Sequence, residues 1–436
     1  MKFSPPALPL PEPLRAAERH SFTYISVVQR LSEIARRTLD ENPFPPETVA
    51  RIQALIDEIP NGKVRPVSIP EAPYEAEWNR YIQPYEGMDW LQIPWFFAEE
   101  YFYVRILEAT GYFHPGPWRR RDPYARQKRL GLECTREASR QLMEQVELAR
   151  LKTAGRSAQQ DGFEKLLEQL VLVNLWGNQN DLSMWPVELS GNGTAPKEPQ
   201  EEGLLIDNKA PGAASGELTG SRHHIIVDDT PKLLAYLKEI PPEQTRVDIL
   251  VDNAGYELVT DLALADFLLA TGRAAQVTLH LKWHPVFVSD ALSQDVFDTL
   301  DAMTFDTHTA THSAAIRLRT ALVKHQLQLL QHPFWTSPLA GWEMPPDLID
   351  RFQESSLLIS KGDANYRRLL GDRHWPLDLP FEKVMSYMNC PVLALRTLKS
   401  EIAVGIDPGA VPGSDPDWMI NGRWGLVQFA CPQKGS

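Results

Sequence analysis

The chain has 436 residues, 43% of them hydrophobic and 23% charged, so it is long enough to bury a substantial core and its composition excludes wholesale disorder. Its 57 acidic against 44 basic side chains give a net charge of −13, with no Lys/Arg run interleaved with aromatics. That argues against nucleic acid as a partner but not against a small anion, whose charge a bound cation and a few local basic residues can offset.

The start is rich in proline (Pro5, Pro6, Pro9, Pro11, Pro13) and lacks the apolar core of a signal peptide. No apolar stretch reaches bilayer length, and three widely spaced cysteines, Cys134, Cys390 and Cys431, offer neither a disulfide framework nor a CxxC site. The expectation is a cytoplasmic protein with no membrane attachment. From about residue 22 to 59, Ile25, Val28, Leu31, Ile34 and Ala35 recur at helical spacing and predict one helix face. Helical patterns follow at 95–110, 135–151 and 163–175; in the last, Leu166, Leu167, Leu170, Val171 and Asn174 share the period. Residues 1–185 thus read as a helical N-terminal part. From Ser190 to Arg222 Gly, Pro, Ser and Glu dominate, residues that bury too little apolar surface to repay ordering, so 186–222 reads as a flexible loop or linker. Beyond it, short apolar runs at 225–227, 247–251, 277–281, 357–359 and 391–395 alternate with helical patterns at 231–240, 258–271 and from about 294. Alternation of this kind predicts an α/β domain over 223–436, a three-layer α/β/α sandwich on a mostly parallel sheet.

Ligands of doubly wound sheets bind beyond the carboxyl ends of the strands, so the residues after each run are the first candidates. These are Asp252, Asn253 and Glu257 after the second run, His284, Ser289 and Asp290 after the third, Lys361, Asp363, Asn365 and Arg367 after the fourth, and Arg396 and Lys399 after the fifth. Asp252, Asn253 and Asp290 make a hard-oxygen set suited to Mg2+ or Mn2+, with positions left for water and phosphate. Lys361, Arg367, Arg396 and Lys399 would then neutralise phosphate oxygens. A single strand-end Asp more often caps the next helix, but four polar strand ends together favour phosphoryl chemistry. His308 and His312 stand at i, i+4 without the carboxylate of an HExxH motif, and adjacent His223 and His224 would point apart on a strand; neither pair reads as a metal site. Glycine-rich phosphate loops are missing from the sequence.

The run Val251-Asp252-Asn253-Ala254-Gly255-Tyr256-Glu257, with Asp261 after it, resembles the signature of the DUF89 damage-control phosphatases. Leu175-Trp176-Gly177-Asn178 with Asp181-Leu182-Ser183, Lys282-Trp283-His284-Pro285 with Ser289-Asp290, and Lys361-Gly362-Asp363-Ala364-Asn365-Tyr366-Arg367 agree in the same order. Arg396-Thr397-Leu398-Lys399 resembles the RTxK motif of the subfamily that holds the sugar-phosphate phosphatases and the proposed acidic-residue carboxyl methyltransferases. The resemblance implies a Mn2+-, Co2+-, Ni2+- or Mg2+-dependent phosphatase whose partner is a small phosphorylated metabolite, of the class of fructose 1-phosphate or fructose 6-phosphate. By motif it implies Asp252, Asn253 and Asp290 as metal ligands and Glu257, Asp363, Arg367 and Lys399 as substrate contacts; Lys361, Asn365 and Arg396 complete the expected substrate site. The alternative, an S-adenosylmethionine-dependent carboxyl methyltransferase, lacks a Gly-rich strand-to-helix turn for its nucleoside. Attack on phosphorus by a metal-activated water and attack by Asp252 itself stay equally open.

Overall fold

Prolines cut the N-terminal part into shorter helices than its apolar period suggests. In the computed structural model, which describes residues 4–153, 159–177 and 222–432 and the paired dipeptides 188–189 and 196–197, residues 22–41 form one helical stretch with a π turn at Ser26–Arg30 that ends in α1 (Leu31–Glu41). Pro43 and Pro45 cannot continue it, and Pro46 takes the first turn of α2 (Pro46–Glu58), where a missing N–H costs nothing. Ile25 to Ala35, expected to share one helix face, lie within the first stretch, and 46–58 forms a separate helix. After them come α3 (Ala72–Ile82), α4 (Trp95–Thr110) and α5 (Ala125–Cys134). α4 is buried on nearly every side and ends at Gly111, which adopts φ 82°. Leu31, Ile52, Trp78, Trp95 and Phe102 share one core there, and Val286 and Val288 enter it from far along the chain.

Two helices of the expected N-terminal part, α6 (Arg136–Thr153) and α7 (Gln159–Trp176), contribute instead to the core against the sheet. Beyond the segment expected as a loop, nearly all of which lies outside the described residues, come β1 (Ile225–Asp228), α8 (Thr230–Glu239), β2 (Arg246–Leu250), α9 (Tyr256–Ala270) and β3 (Gln276–Leu281). They are followed by α10 (Ser293–Thr304), α11 (Thr309–Val323), β4 (Leu327–Gln331), α12 (Pro346–Gln353), β5 (Leu357–Lys361), α13 (Gly362–Leu370), β6 (Val392–Thr397) and β7 (Gly425–Ala430). The sheet order is β1-β7-β6-β5-β2-β3-β4; β6, β5, β2, β3 and β4 run parallel, β7 is antiparallel to β6, and β1 is parallel to β7. Strand periodicity divides the two faces: Ile249, Leu279, Ile359 and Leu393 lie in the core with α7 and α9, whereas Leu250, Leu358, Val392 and Ala394 lie in the core with Phe352 and Leu369. The α/β fold on a mostly parallel sheet is as the alternation predicts. No helix among the described residues is long and apolar enough to cross a membrane.

Candidate active site

From β2 the chain order moves one way along the sheet, to β3 and β4, while β5 and β6 lie on the other side, so the order switches between β2 and β5. The crevice beyond the carboxyl ends of these two strands is where such a sheet takes ligands. β2 leaves through Val251, Asp252 and Asn253 into Gly255, which has φ 73° and ψ −137°. That backbone suits glycine, and the α5 backbone at Gly131 and Leu132 lies only 3.7 Å from where a Cβ would stand. The loop after β3 then returns to the same spot. Ala254 N donates to Ser289 O at 2.7 Å, Ala291 N to Asp252 O at 2.8 Å, and Lys282 N to Ala291 O at 3.0 Å, with Asn253 bridged to Asp290. Backbone pairing alone thus sets Asp290 beside Asp252 and Asn253.

The side chains continue this pairing. Asn253 Nδ2 donates to Asp252 Oδ2 at 3.0 Å and Glu257 Oε2 at 2.8 Å, while its Oδ1 accepts from Ser289 Oγ at 2.6 Å. Lys282 Nζ stands 3.0 Å from Asp290 Oδ2 and donates to Asn365 Oδ1 at 3.0 Å. Asn365 Nδ2 in turn donates to Lys361 O at 2.9 Å and Val251 O at 3.2 Å, which ties the start of α13 to the end of β2. Lys361 is fully buried; its Nζ donates to Asp261 Oδ1 at 2.8 Å and Asn174 Oδ1 at 3.2 Å and lies 3.2 Å from Glu257 Oε1. Burial works to lower the Lys361 pKa, but the Asp261 and Glu257 carboxylates more than offset it and hold the amine charged.

A second cluster adjoins this one along α13. Asp363, in the first turn, accepts from Arg396 Nε at 2.8 Å and Ser400 Oγ at 3.0 Å, and the buried Arg396 lies 4.4 Å over the Tyr366 ring. This pairing fixes the turn that carries Lys399, whose stem passes Gly422. Arg367 faces elsewhere. Its guanidinium donates to Glu99 Oε2 at 2.6 Å and Asp372 Oδ1 at 2.8 Å and lies 3.5 Å from the Trp95 ring centre, in the seam between α13 and α4. Burial works against its charge, yet Asp372 and Glu99 raise its pKa. The structure therefore joins Asp252, Asn253, Glu257, Asp290, Lys361 and Asn365 in one network, sets Asp363, Arg396 and Lys399 beside it, and engages Arg367 with the N-terminal layer.

Residues 25–411 match the family model described as the damage-control phosphatase ARMT1-like domain. The chain belongs to this family. Over its length it is similar to the damage-control phosphatase ARMT1 of Danio rerio, with 29% identity over 97% of this chain and 98% of that protein, and to that of Mus musculus, with 30% identity over 96% and 98%. The Homo sapiens protein is 27% identical over 97% of this chain and 99% of its own length. Among solved structures, a DUF89 family protein from Pyrococcus horikoshii covers 94% of this chain and 98% of its own, with 13% identity and a TM-score of 0.44.

In this ARMT1-like chain the candidate metal donors are side-chain oxygens. Among the described residues no three His, Cys, Asp or Glu side chains group to hold a metal. The set at the switch point is instead two carboxylates and one amide oxygen, all buried, from Asp252, Asp290 and Asn253. Hard oxygens of this kind fit a hard divalent cation. His308 Nδ1 meets Thr311 Oγ1 and His312 Nδ1 meets Thr304 O at the end of α10, so both rings make local contacts. Sequence reasoning missed Lys282, Asn174 and Asp261 as members of the network. Lys282 and Asp261 stand inside the quoted motifs and Asn174 interrupts an apolar helix face, which were the available signals. Of the motif residues, Asn178 and Asp181-Leu182-Ser183 lie outside the described residues.

Proposed function

We propose that this chain is a cytoplasmic, divalent-metal-dependent phosphomonoester hydrolase acting on small sugar phosphates of the fructose 1-phosphate or fructose 6-phosphate class. The observation that carries the reading is the convergence of Asp252, Asn253 and Asp290 at the strand-order switch, within one network with Glu257 and Lys361. Asp252, Asn253 and Asp290 would hold Mn2+, Co2+, Ni2+ or Mg2+. When bound, such a cation neutralises phosphate charge and supplies an activated water. Membership of the damage-control phosphatase family supports the reaction class.

The chain's own residues supply the rest. Lys282, between Asp290 and Asn365, pairs with the Asp290 carboxyl group and aims it. Glu257 orients the Asn253 amide, and Lys361 balances the charge of Glu257 and Asp261 from below. Lys399, on the turn fixed by Asp363 and Arg396, would add positive charge toward a phosphate or sugar hydroxyl. A screen of sugar phosphates and phosphopeptides with each metal in turn, before and after chelation, tests the reading. Turnover of a ketose phosphate that is lost on chelation and restored by metal is expected, with Lys399→Ala raising KM while leaving metal binding intact; full activity after exhaustive chelation, or a preference for phosphopeptides, sinks it.

A further inference from the structure

Phe287 and Val288 have φ of 48° and 66°. A side chain with a Cβ disfavours that region, a β-branched valine most of all, so two such residues in succession persist only where their surroundings hold them. The surroundings are the N-terminal helices. Val286 and Val288 are fully buried in the core made by α1 to α4, and the Phe287 ring lies 5.3 Å from Tyr103 and 6.2 Å from Phe96 on α4. Upstream in the same loop, His284 Nε2 meets the Tyr74 hydroxyl on α3 and its Nδ1 meets Pro285 O. The strand that feeds the loop behaves differently, since Val277, Leu279 and Leu281 of β3 lie in the sheet core.

Directly after Val288 the loop turns back toward the active site. Ser289 N bonds Phe287 O at 2.7 Å, Ser289 Oγ bonds Asn253 Oδ1, and Asp290 pairs with Asn253. The body of the loop thus sits in one core while its base sits in the site. Asp290 and Asp252 bring two carboxyl groups together in a buried place, an arrangement that needs support from its surroundings. Two backbone hydrogen bonds and Lys282 supply part of it.

We propose that residues 286–288 are a positioning element through which the N-terminal helices hold Ser289 and Asp290 against Asp252 and Asn253. Their relation to metal binding rests on the function proposed above, but the positioning itself does not. Two variants of the full chain test it. Val288→Gly accepts positive φ freely and only loses the anchoring side chain; Phe287→Ala, a milder change at a half-buried ring, carries the test should the first fail to fold.

The first readout is hydrogen exchange in the absence of metal. The Ala254 and Ala291 amides, bonded to Ser289 O and Asp252 O, should exchange at least about ten-fold faster in both variants, while core β3 amides keep wild-type protection. The second is calorimetric titration with Mn2+ alone, in which affinity should fall about ten-fold or more, the scale for residues that support metal ligands. Unchanged exchange at Ala254 and Ala291 overturns the proposal, as does wild-type Mn2+ affinity in both variants. A wild-type chain that takes up no Mn2+ counts against the metal-dependent function alone, and the exchange result then decides the positioning.

Discussion

The seam between α4 and α13 and the corner between β2 and β3 are both buried and both charged, yet their charges are arranged in opposite ways. At the seam each guanidinium meets its own carboxyl groups: Arg367 has Glu99 and Asp372, and Arg368 has Glu100 at 2.7 Å and spends further N–H groups on the carbonyls of Ser337, Leu339 and Trp335. At the corner the Asn253 amide bonds Asp252 and Glu257 and its backbone pairs with Asp290, with Lys282 and Lys361 at the margins. A seam of matched pairs secures packing and leaves little for a ligand to use. A concentration of carboxylates is costly unless a further cation is to be shared, which is why such clusters tend to mark functional sites. The comparison also separates arginines that look alike in sequence, because Arg367 belongs to the seam and Arg396 to the turn that carries Lys399.

The largest effect should come from breaking the corner. Asp252→Ala removes a charged oxygen donor, so Mn2+ affinity and turnover should fall together, turnover by on the order of a thousand-fold, the equivalent of several kcal/mol of charge stabilisation. Calorimetry with steady-state kinetics checks this, and a variant that keeps both metal and activity would invert the assignment. Next comes the seam: Arg367→Ala strands Glu99 and Asp372 in the interior and should cost about 3–5 kcal/mol of stability. Chemical denaturation measures that loss, and Mn2+ affinity in the folded fraction should stay at the wild-type level. A large loss of metal with little loss of stability would place Arg367 in the site after all.

The smallest effect sharpens the seam. Burial, with Asp290 and Glu99 adding to it and Arg368 and Lys282 opposing, pushes Glu100 from the ordinary 4.5 up to about 8. A carboxyl group whose folded pKa is raised contributes stability that is complete below its unfolded pKa and lost as pH climbs through the folded value. The thermal midpoint of the wild-type chain should therefore drop between about pH 5 and pH 8 more than that of Glu100→Gln, which has no proton to release. Parallel curves for the two proteins would show that Glu100 is ionised throughout.

Most of the parallel strands, and the polar residues that end them, were legible in sequence because short apolar runs followed by Asp, Asn and Lys report burial and strand ends directly. Two strands were not. β4 (Leu-Gln-Leu-Leu-Gln) is a half-buried edge strand without a β-branched residue, and β7 packs antiparallel after a long irregular stretch, so neither shows the run-then-helix pattern. The seam was hidden for another reason. Glu99 and Glu100 sit within a largely apolar helix, where two adjacent acids look incidental, and their partners stand far along the chain at Arg367 and Arg368. Long-range pairing leaves no local period to detect. The same holds for Val286 and Val288, which read as part of a strand-end loop until the helices that enclose them are seen.

That loop has a thermodynamic meaning beyond its geometry. Residues 282–291 belong at once to the helical core through Val286 and Val288 and to the carboxylate corner through Ser289 and Asp290. Two sites joined by one such element are linked reciprocally: any ligand that tightens the corner must firm the packing of α3 and α4 by the same free energy with which that packing favours the ligand. Substitutions in the N-terminal helices far from any reacting atom would then register as changes in affinity, and saturating the corner would protect those helices from unfolding.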